Sequence, residues 1–104
     1  MDLAQRAVAC KGWRWLPGML TDVGERVTDP GICYLGTLPD LTDPATLGCL
    51  LALVREAYGN PGIHARRMGD DIWGVYLDPW RKRRPIAVQN TEAEALVAAL
   101  EAAP

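Results

Sequence analysis

From position 43 onward the chain alternates between two hydrophobic periods. Leu47, Leu50, Leu51, Val54 and Tyr58 fall at i, i+3, i+4, i+7 and i+11, which is one face of a helix. Asp43 is placed to cap that helix, and Pro44 fits its first position, where no N–H is needed. Gly59-Asn60-Pro61-Gly62 stops it, while small Gly48 and Ala52 permit close approach of a neighbour. The period then drops to two. Ile63 to Met68 reads as a strand, Gly69-Asp70-Asp71 as a turn, and Ile72 to Leu77 as a second strand. In the second strand Trp73, Val75 and Leu77 share one face and Ile72, Gly74 and Tyr76 the other. A last strand, Ile86 to Gln89, leads to a helix whose N-terminus carries Thr91 and Glu94 at capping-box spacing. Ala93, Leu96, Val97 and Leu100 supply its buried stripe.

The first forty residues are less regular. A helix is expected from Leu3 to about Lys11, with Asp2 as N-cap, Gly12 just past the end, and Leu3, Ala7 and Val8 at helical spacing. Trp13 to Leu16 and Ile32 to Leu35 are short apolar runs broken by glycine and proline, and read as short strands or extended loop. The element order is helix, extended pair, helix, three strands, helix. The simplest solution is an α+β fold in a single domain, residues 1–104. Its antiparallel sheet combines a three-stranded C-terminal meander with a short N-terminal extended pair, and three helices pack on it. A chain this short hides roughly 65% of its unfolded surface, enough for a thin core and little for a deep private cavity.

Composition narrows the function classes. Apolar residues are 49% and charged residues 23%, the balance of a soluble globular protein, and no apolar run, Leu50 to Val54 included, approaches the length of a membrane span. The N-terminus lacks the basic-then-apolar layout of a signal peptide, so the cytoplasm is the expected location. A net charge of −2 argues against a general nucleic-acid binder. Cys10, Cys33 and Cys49 are odd in number and widely spaced, which fits reduced apolar thiols better than disulfides or a zinc site. A Cys–His nucleophile pair would have to use His64, the single histidine, and no local signature surrounds any cysteine. Asp40 with Asp43 and Asp70 with Asp71 are the close acidic pairs; a helix start and a turn account for them better than a metal does. Neither GxxxxGK[ST] nor GxGxxG occurs. No catalytic residue, metal or cofactor is expected.

The sharpest chemical feature is the run Trp80-Arg81-Lys82-Arg83-Arg84, with Arg66 and Arg67 on the strand two positions earlier in the meander. Residues 62–90 carry six basic and three acidic side chains, a local net of +3 on an acidic protein. Arginine forks match phosphate oxygens, and a neighbouring tryptophan offers a face for stacking or cation–π contact. The alternative is a solvated loop that blunts a sheet edge. Four tryptophans in a chain without phenylalanine are many: Trp73 fits the core, whereas Trp13, Trp15 and Trp80 are candidates for a stacking platform or docking patch.

Three stretches, together with the lone strand tryptophan Trp73, carry a resemblance: Arg6-Ala7-Val8-Ala9-Cys10-Lys11-Gly12-Trp13, Pro39-Asp40-Leu41-Thr42-Asp43-Pro44-Ala45, and Thr91-Glu92-Ala93-Glu94-Ala95-Leu96-Val97-Ala98-Ala99-Leu100. Their layout resembles small orphan proteins of bacterial viruses and prophages of the phage alpha-beta-alpha sandwich kind, from about Leu3 to Ala102, with the stretch from Val23 to Leu38 individual. The matching positions form the fold, and no functional residue is carried over. The resemblance implies an accessory protein in the cytoplasm of a bacterial host, acting against host immunity. One expectation is a homo-oligomer that sequesters a nucleotide-derived anionic signal without catalysis. In it Arg66, Arg67, Arg81, Lys82, Arg83 and Arg84 hold phosphates, and Trp80, Trp13 or Trp15 stacks on a base. The other is an inhibitor that docks on a host defence protein through the same basic–aromatic surface.

Overall fold

The computed structural model of the chain describes residues 2–29, 37–77 and 85–104. Within them three helices and a three-stranded antiparallel sheet make an α+β fold: α1 (Leu3–Val8), α2 (Pro44–Tyr58), β1 (His64–Gly69), β2 (Ile72–Tyr76), β3 (Ala87–Gln89) and α3 (Glu92–Glu101). The sheet order is β1-β2-β3, with β1 and β3 the outer strands among the described residues. His64 pairs with Tyr76, Arg66 with Gly74 and Arg67 with Trp73; Gly74 in turn pairs with Val88. A register shift between Arg67 and Gly69 ends the regular ladder. Asp71, at φ 54°, takes the left-handed conformation in the turn between β1 and β2, which aspartate tolerates better than most residues.

α3 is the centre of the molecule and contacts all the other helices and strands. Its predicted stripe is buried, and Ala95 and Ala99 are buried as well. Leu96 and Val97 are fully enclosed with Leu50, Leu53 and Val54 of α2, Val75 of β2, Ile63 and Met19. The Thr91 hydroxyl accepts from the Glu94 N–H at 3.1 Å and donates to the Glu94 carboxylate at 3.0 Å. The complete capping box stands on α1 instead, where Asp2 accepts from the Gln5 N–H at 2.8 Å and Gln5 Oε1 accepts from the Asp2 N–H at 2.9 Å.

Two expectations about the helices need correction. α1 ends at Val8 with Ala9 as its cap, not near Lys11. Gly12 serves close packing: a Cβ there would lie 3.1 Å from Leu100 Cδ1 and 3.5 Å from Ala57 Cβ. α2 begins and ends as expected, with Asp43 accepting from the Thr46 N–H and Gly59 left-handed at φ 61°. Its buried face, however, is Thr46, Leu50, Leu53 and Val54, whereas Leu47, Leu51 and Tyr58 are half-buried. The stripe is rotated because Thr46 turns inward: its Oγ1 accepts from the Leu20 N–H at 2.9 Å and bonds Asp43 at 3.0 Å.

Between α1 and α2, residues 13–16 carry no strand pairing; the two tryptophan rings meet edge to face at 5.5 Å and pack against the core. Strand-like bridges fall at Leu20–Arg26 and Thr21–Pro39. The whole predicted Ile32 to Leu35 partner, with Cys33, lies outside the described residues. Arg26 fastens the turn to α2, donating to the Gly18 carbonyl at 2.9 Å and to Asp43 at 2.7 Å. Among the described residues no helix is long and apolar enough to cross a membrane.

Candidate functional site

Pleating divides the sheet into two unlike faces. Ala65, Trp73, Val75, Leu77 and Ala87 turn toward the helices and pack against the core. The opposite face is built from His64, Arg66 and Met68 of β1, Ile72, Gly74 and Tyr76 of β2, and Val88 of β3. Tyr76 is 8% exposed. Its ring stacks on His64 at 5.8 Å and lies over Gly74. A Cβ on Gly74 would stand 2.8 Å from Met68 Sδ and 2.9 Å from Tyr76 Cε2, so the absence of a side chain lets the ring lie flat. Around this floor Met68, Ile72 and Val88 remain 48%, 43% and 45% exposed. Val23, on a turn elsewhere, is the other large apolar side chain left in solvent among the described residues. Three of four thus gather on one side of one small sheet.

Of the residues singled out from the sequence, Arg66 and Arg67 are neighbours on β1 and therefore project to opposite faces. Arg66 belongs to the outer face, across from Gly74; Arg67 lies across from Trp73. The Arg67 side chain donates to the Gly69 carbonyl at 3.3 Å and stands 3.5 Å from Asp70, a pair open to solvent on both sides. Trp13 and Trp15 sit together after α1, where Arg14 between them is bridged to Glu56 of α2. Trp80, Arg81, Lys82, Arg83 and Arg84 lie outside the described residues. Sequence reasoning passed over Met68, Ile72, Gly74, Tyr76 and Val88 as a surface, although their period-two spacing had already put Ile72, Gly74 and Tyr76 on one face.

Three clefts lined by described residues lie elsewhere. One of about 530 Å³, between the end of α1 and the end of α3, is lined by Arg6, Cys10, Lys11, Ala57, Leu100 and Glu101. Two of its charged groups are paired: Arg6 donates to Glu101 at 2.6 and 3.1 Å, and this holds the Glu101 carboxyl below its ordinary pKa. Shallower hollows of about 500 and 460 Å³ flank Leu3 and Leu41. Neither they nor the first cleft is lined by Arg66, Arg67, Trp13 or Trp15.

Burial pushes the Cys10 and Cys49 thiols above their ordinary pKa, the reverse of what an activated nucleophile needs. Each thiol is turned toward a backbone carbonyl, Cys10 to Arg6 at 3.3 Å and Cys49 to Pro17 at 3.6 Å. His64 Nδ1 lies 3.3 Å from the Gly62 carbonyl. The Asp40–Asp43 pair serves the start of α2: Asp40 accepts from the Thr42 N–H and hydroxyl at 3.0 and 2.6 Å, and Asp43 caps the helix. Among the described residues no three of His, Cys, Asp or Glu are grouped to hold a metal ion. No family model, no curated protein and no solved structure matches this chain.

Proposed function

We propose that the protein works by binding rather than catalysis, and that the outer face of its sheet docks on another protein. The observation that carries this reading is the gathering of exposed Met68, Ile72 and Val88 around the Tyr76–Gly74 floor, with Arg66 among them. Methionine, aromatic rings and arginine are the residue types that protein interfaces favour. An exposed apolar cluster on so small a domain is costly unless something covers it. The resemblance to small phage proteins supplies the setting, a counter-defence accessory protein that inhibits a host defence protein.

Trapping a nucleotide-derived signal asks for arginines and tryptophans around one cavity. Arg66 and Arg67 diverge, and Trp13 and Trp15 pack together against the core, so docking on a protein is the better-supported of the two roles. The test is a double variant, Ile72→Glu with Val88→Glu, assayed for loss of counter-defence activity in infected cells while its circular dichroism stays native. Activity unchanged by both glutamates overturns the docking face. A parallel thermal-shift panel of cyclic dinucleotides and trinucleotides is expected to be flat. A bound ligand at 100 times its Kd would add about 2.7 kcal/mol and return the weight to sequestration.

A further inference from the structure

α1 and α3 run side by side in the same direction: Leu3 and Ala93 line one hollow, Cys10 and Leu100 another. Both helices therefore end at the cleft of about 530 Å³. A helix end presents carbonyl oxygens and ordinarily favours a cation. Here those oxygens already accept hydrogen bonds. At the end of α1 the Gln5 and Ala7 carbonyls accept from the N–H groups of Ala9 and Cys10, and the Arg6 carbonyl from the Cys10 thiol. At the end of α3 the Ala98 and Leu100 carbonyls accept from the N–H groups of Ala102 and Ala103, and the Ala99 carbonyl from the Tyr58 hydroxyl. The Glu101 carboxylate is held through both of its oxygens by Arg6.

The donors are not used up in the same way. Arg6 gives Nε and Nη2 to Glu101, which leaves Nη1 outside that pair. The Lys11 ammonium is exposed and, among the described residues, makes no ion pair or side-chain hydrogen bond. Beneath these groups the lining is apolar and short. Gly12 lies against Leu100 and Ala57, where a Cβ would come within 3.1 and 3.5 Å of them, and Ala9 and Ala103 add nothing longer than a methyl group. A cleft with an apolar floor, occupied acceptors and a spare ammonium at its rim suits a ligand with an apolar body and one anionic group. Its volume lies in the range of small-molecule sites. A nucleotide fits less well, because it brings several charges and a polar base to described lining residues that include no aromatic ring.

We propose that this cleft binds a small amphipathic carboxylate, its aliphatic chain lying on Leu100 and Ala57 and its head group held by Lys11. The site is built from helix ends and shares no residue with the outer face of the sheet, so it is independent of the docking role argued above.

The probe is octanoate, titrated into the whole isotope-labelled protein and followed by amide NMR shifts, with octan-1-ol and octylamine as its neutral and cationic counterparts. Saturable shifts are expected at the Cys10, Gly12, Ala57 and Ala103 amides, while the Ile72 and Val88 amides stay in place. Octan-1-ol is expected to bind about fivefold more weakly than octanoate, the worth of one solvent-exposed charge pair, and octylamine more weakly still. Lys11→Ala is expected to remove that advantage, weakening octanoate to the level of octan-1-ol and leaving octan-1-ol unchanged. Because Lys11 is exposed and unpaired, this variant tests the head group without threatening the fold. Ala9→Trp, also at an exposed position, is expected to fill the mouth of the cleft and abolish binding of both. Equal binding of octanoate and octan-1-ol, indifference of octanoate to Lys11→Ala, shifts confined to the sheet, or no saturable shift overturns the proposal. The Ile72→Glu/Val88→Glu protein is expected to bind octanoate as the native protein does. If octanoate fails while that variant still abolishes counter-defence, the docking face stands and the cleft alone falls.

Discussion

α3 and the outer face of the sheet are both rich in apolar residues, yet they use them in opposite ways. Six of the ten residues of α3 are buried, with the sheet on one side and the other two helices against it as well. On the outer face, Met68, Ile72 and Val88 are nearly half exposed, and among the described elements no helix lies over them. Around α3 the polar groups are also paired: Tyr58 donates to the Ala99 carbonyl at 2.8 Å, and Arg6 fastens α1 to Glu101. Among the described residues no buried side-chain polar atom lacks a hydrogen-bond partner. Among the described residues, the fold is therefore packed mainly from one side of the sheet, and the other side keeps three large apolar side chains nearly half exposed.

The largest expected effect breaks the comparison at its centre. Leu96→Ala removes a fully buried side chain between α2 and the sheet and is expected to cost about 2–5 kcal/mol in urea unfolding, the range for a cavity in a packed core. Ile72→Ala removes an apolar side chain from the outer face and is expected to change stability by about 0.5 kcal/mol or less. Similar losses from the two would mean that the outer face belongs to the core and has no surface to offer.

Thr46→Val sharpens the same contrast on a polar group. The valine keeps the shape, but the Leu20 N–H loses its acceptor and Asp43 loses a donor. The expected loss is about 1–3 kcal/mol, the cost of leaving a buried donor unpaired. Loss of protection from hydrogen exchange at the Leu20 amide, with α3 amides little changed, would place the damage in the turn and not in the core.

The same contrast explains what could be read from the sequence. α2 and α3 were legible because local signals and hydrophobic period agree: Asp43-Pro44 and Gly59 bound one helix, and Thr91 begins the other. Which face of α2 turns inward was not legible, because Thr46 is polar and its burial depends on Leu20, a residue 26 positions away. Gly12 had the spacing of a helix end, and its packing against Leu100 is visible only in three dimensions. Ile72, Gly74 and Tyr76 were already placed on one face, but alternation cannot tell whether a layer covers that face. Arg66 and Arg67 drew notice as charge, whereas strand geometry, which sends them to opposite sides, decides what that charge can hold.

A smaller loss than those in the core is expected at the clasp that ties the turn of residues 17–27 to α2. Arg26 holds the Asp43 carboxyl below the ordinary aspartate pKa, assisted by the N–H and hydroxyl of Thr46 and opposed by partial burial. Because the folded-state pKa lies below the unfolded value, the ionised carboxylate favours the fold. That contribution is complete above the unfolded value of about 3.9 and is lost as pH falls through the lower folded value. Asp43→Asn keeps a good helix cap and removes the charge, exchanging one acceptor oxygen for an NH2 group. Its stability deficit against the native protein is expected to be widest near neutrality and to close once the solution is more acidic than the folded carboxyl. Urea midpoints across that range measure it. Glu56, Glu101 and Asp40 are shifted in the same direction, so both proteins weaken in acid, and the difference between them isolates Asp43. A deficit that persists unchanged into strong acid would mean that Asp43 serves the clasp through its shape and hydrogen bonds, with the Arg26 charge contributing nothing. The Ile72→Ala protein, altered on the other side of the sheet, is expected to follow the native curve throughout.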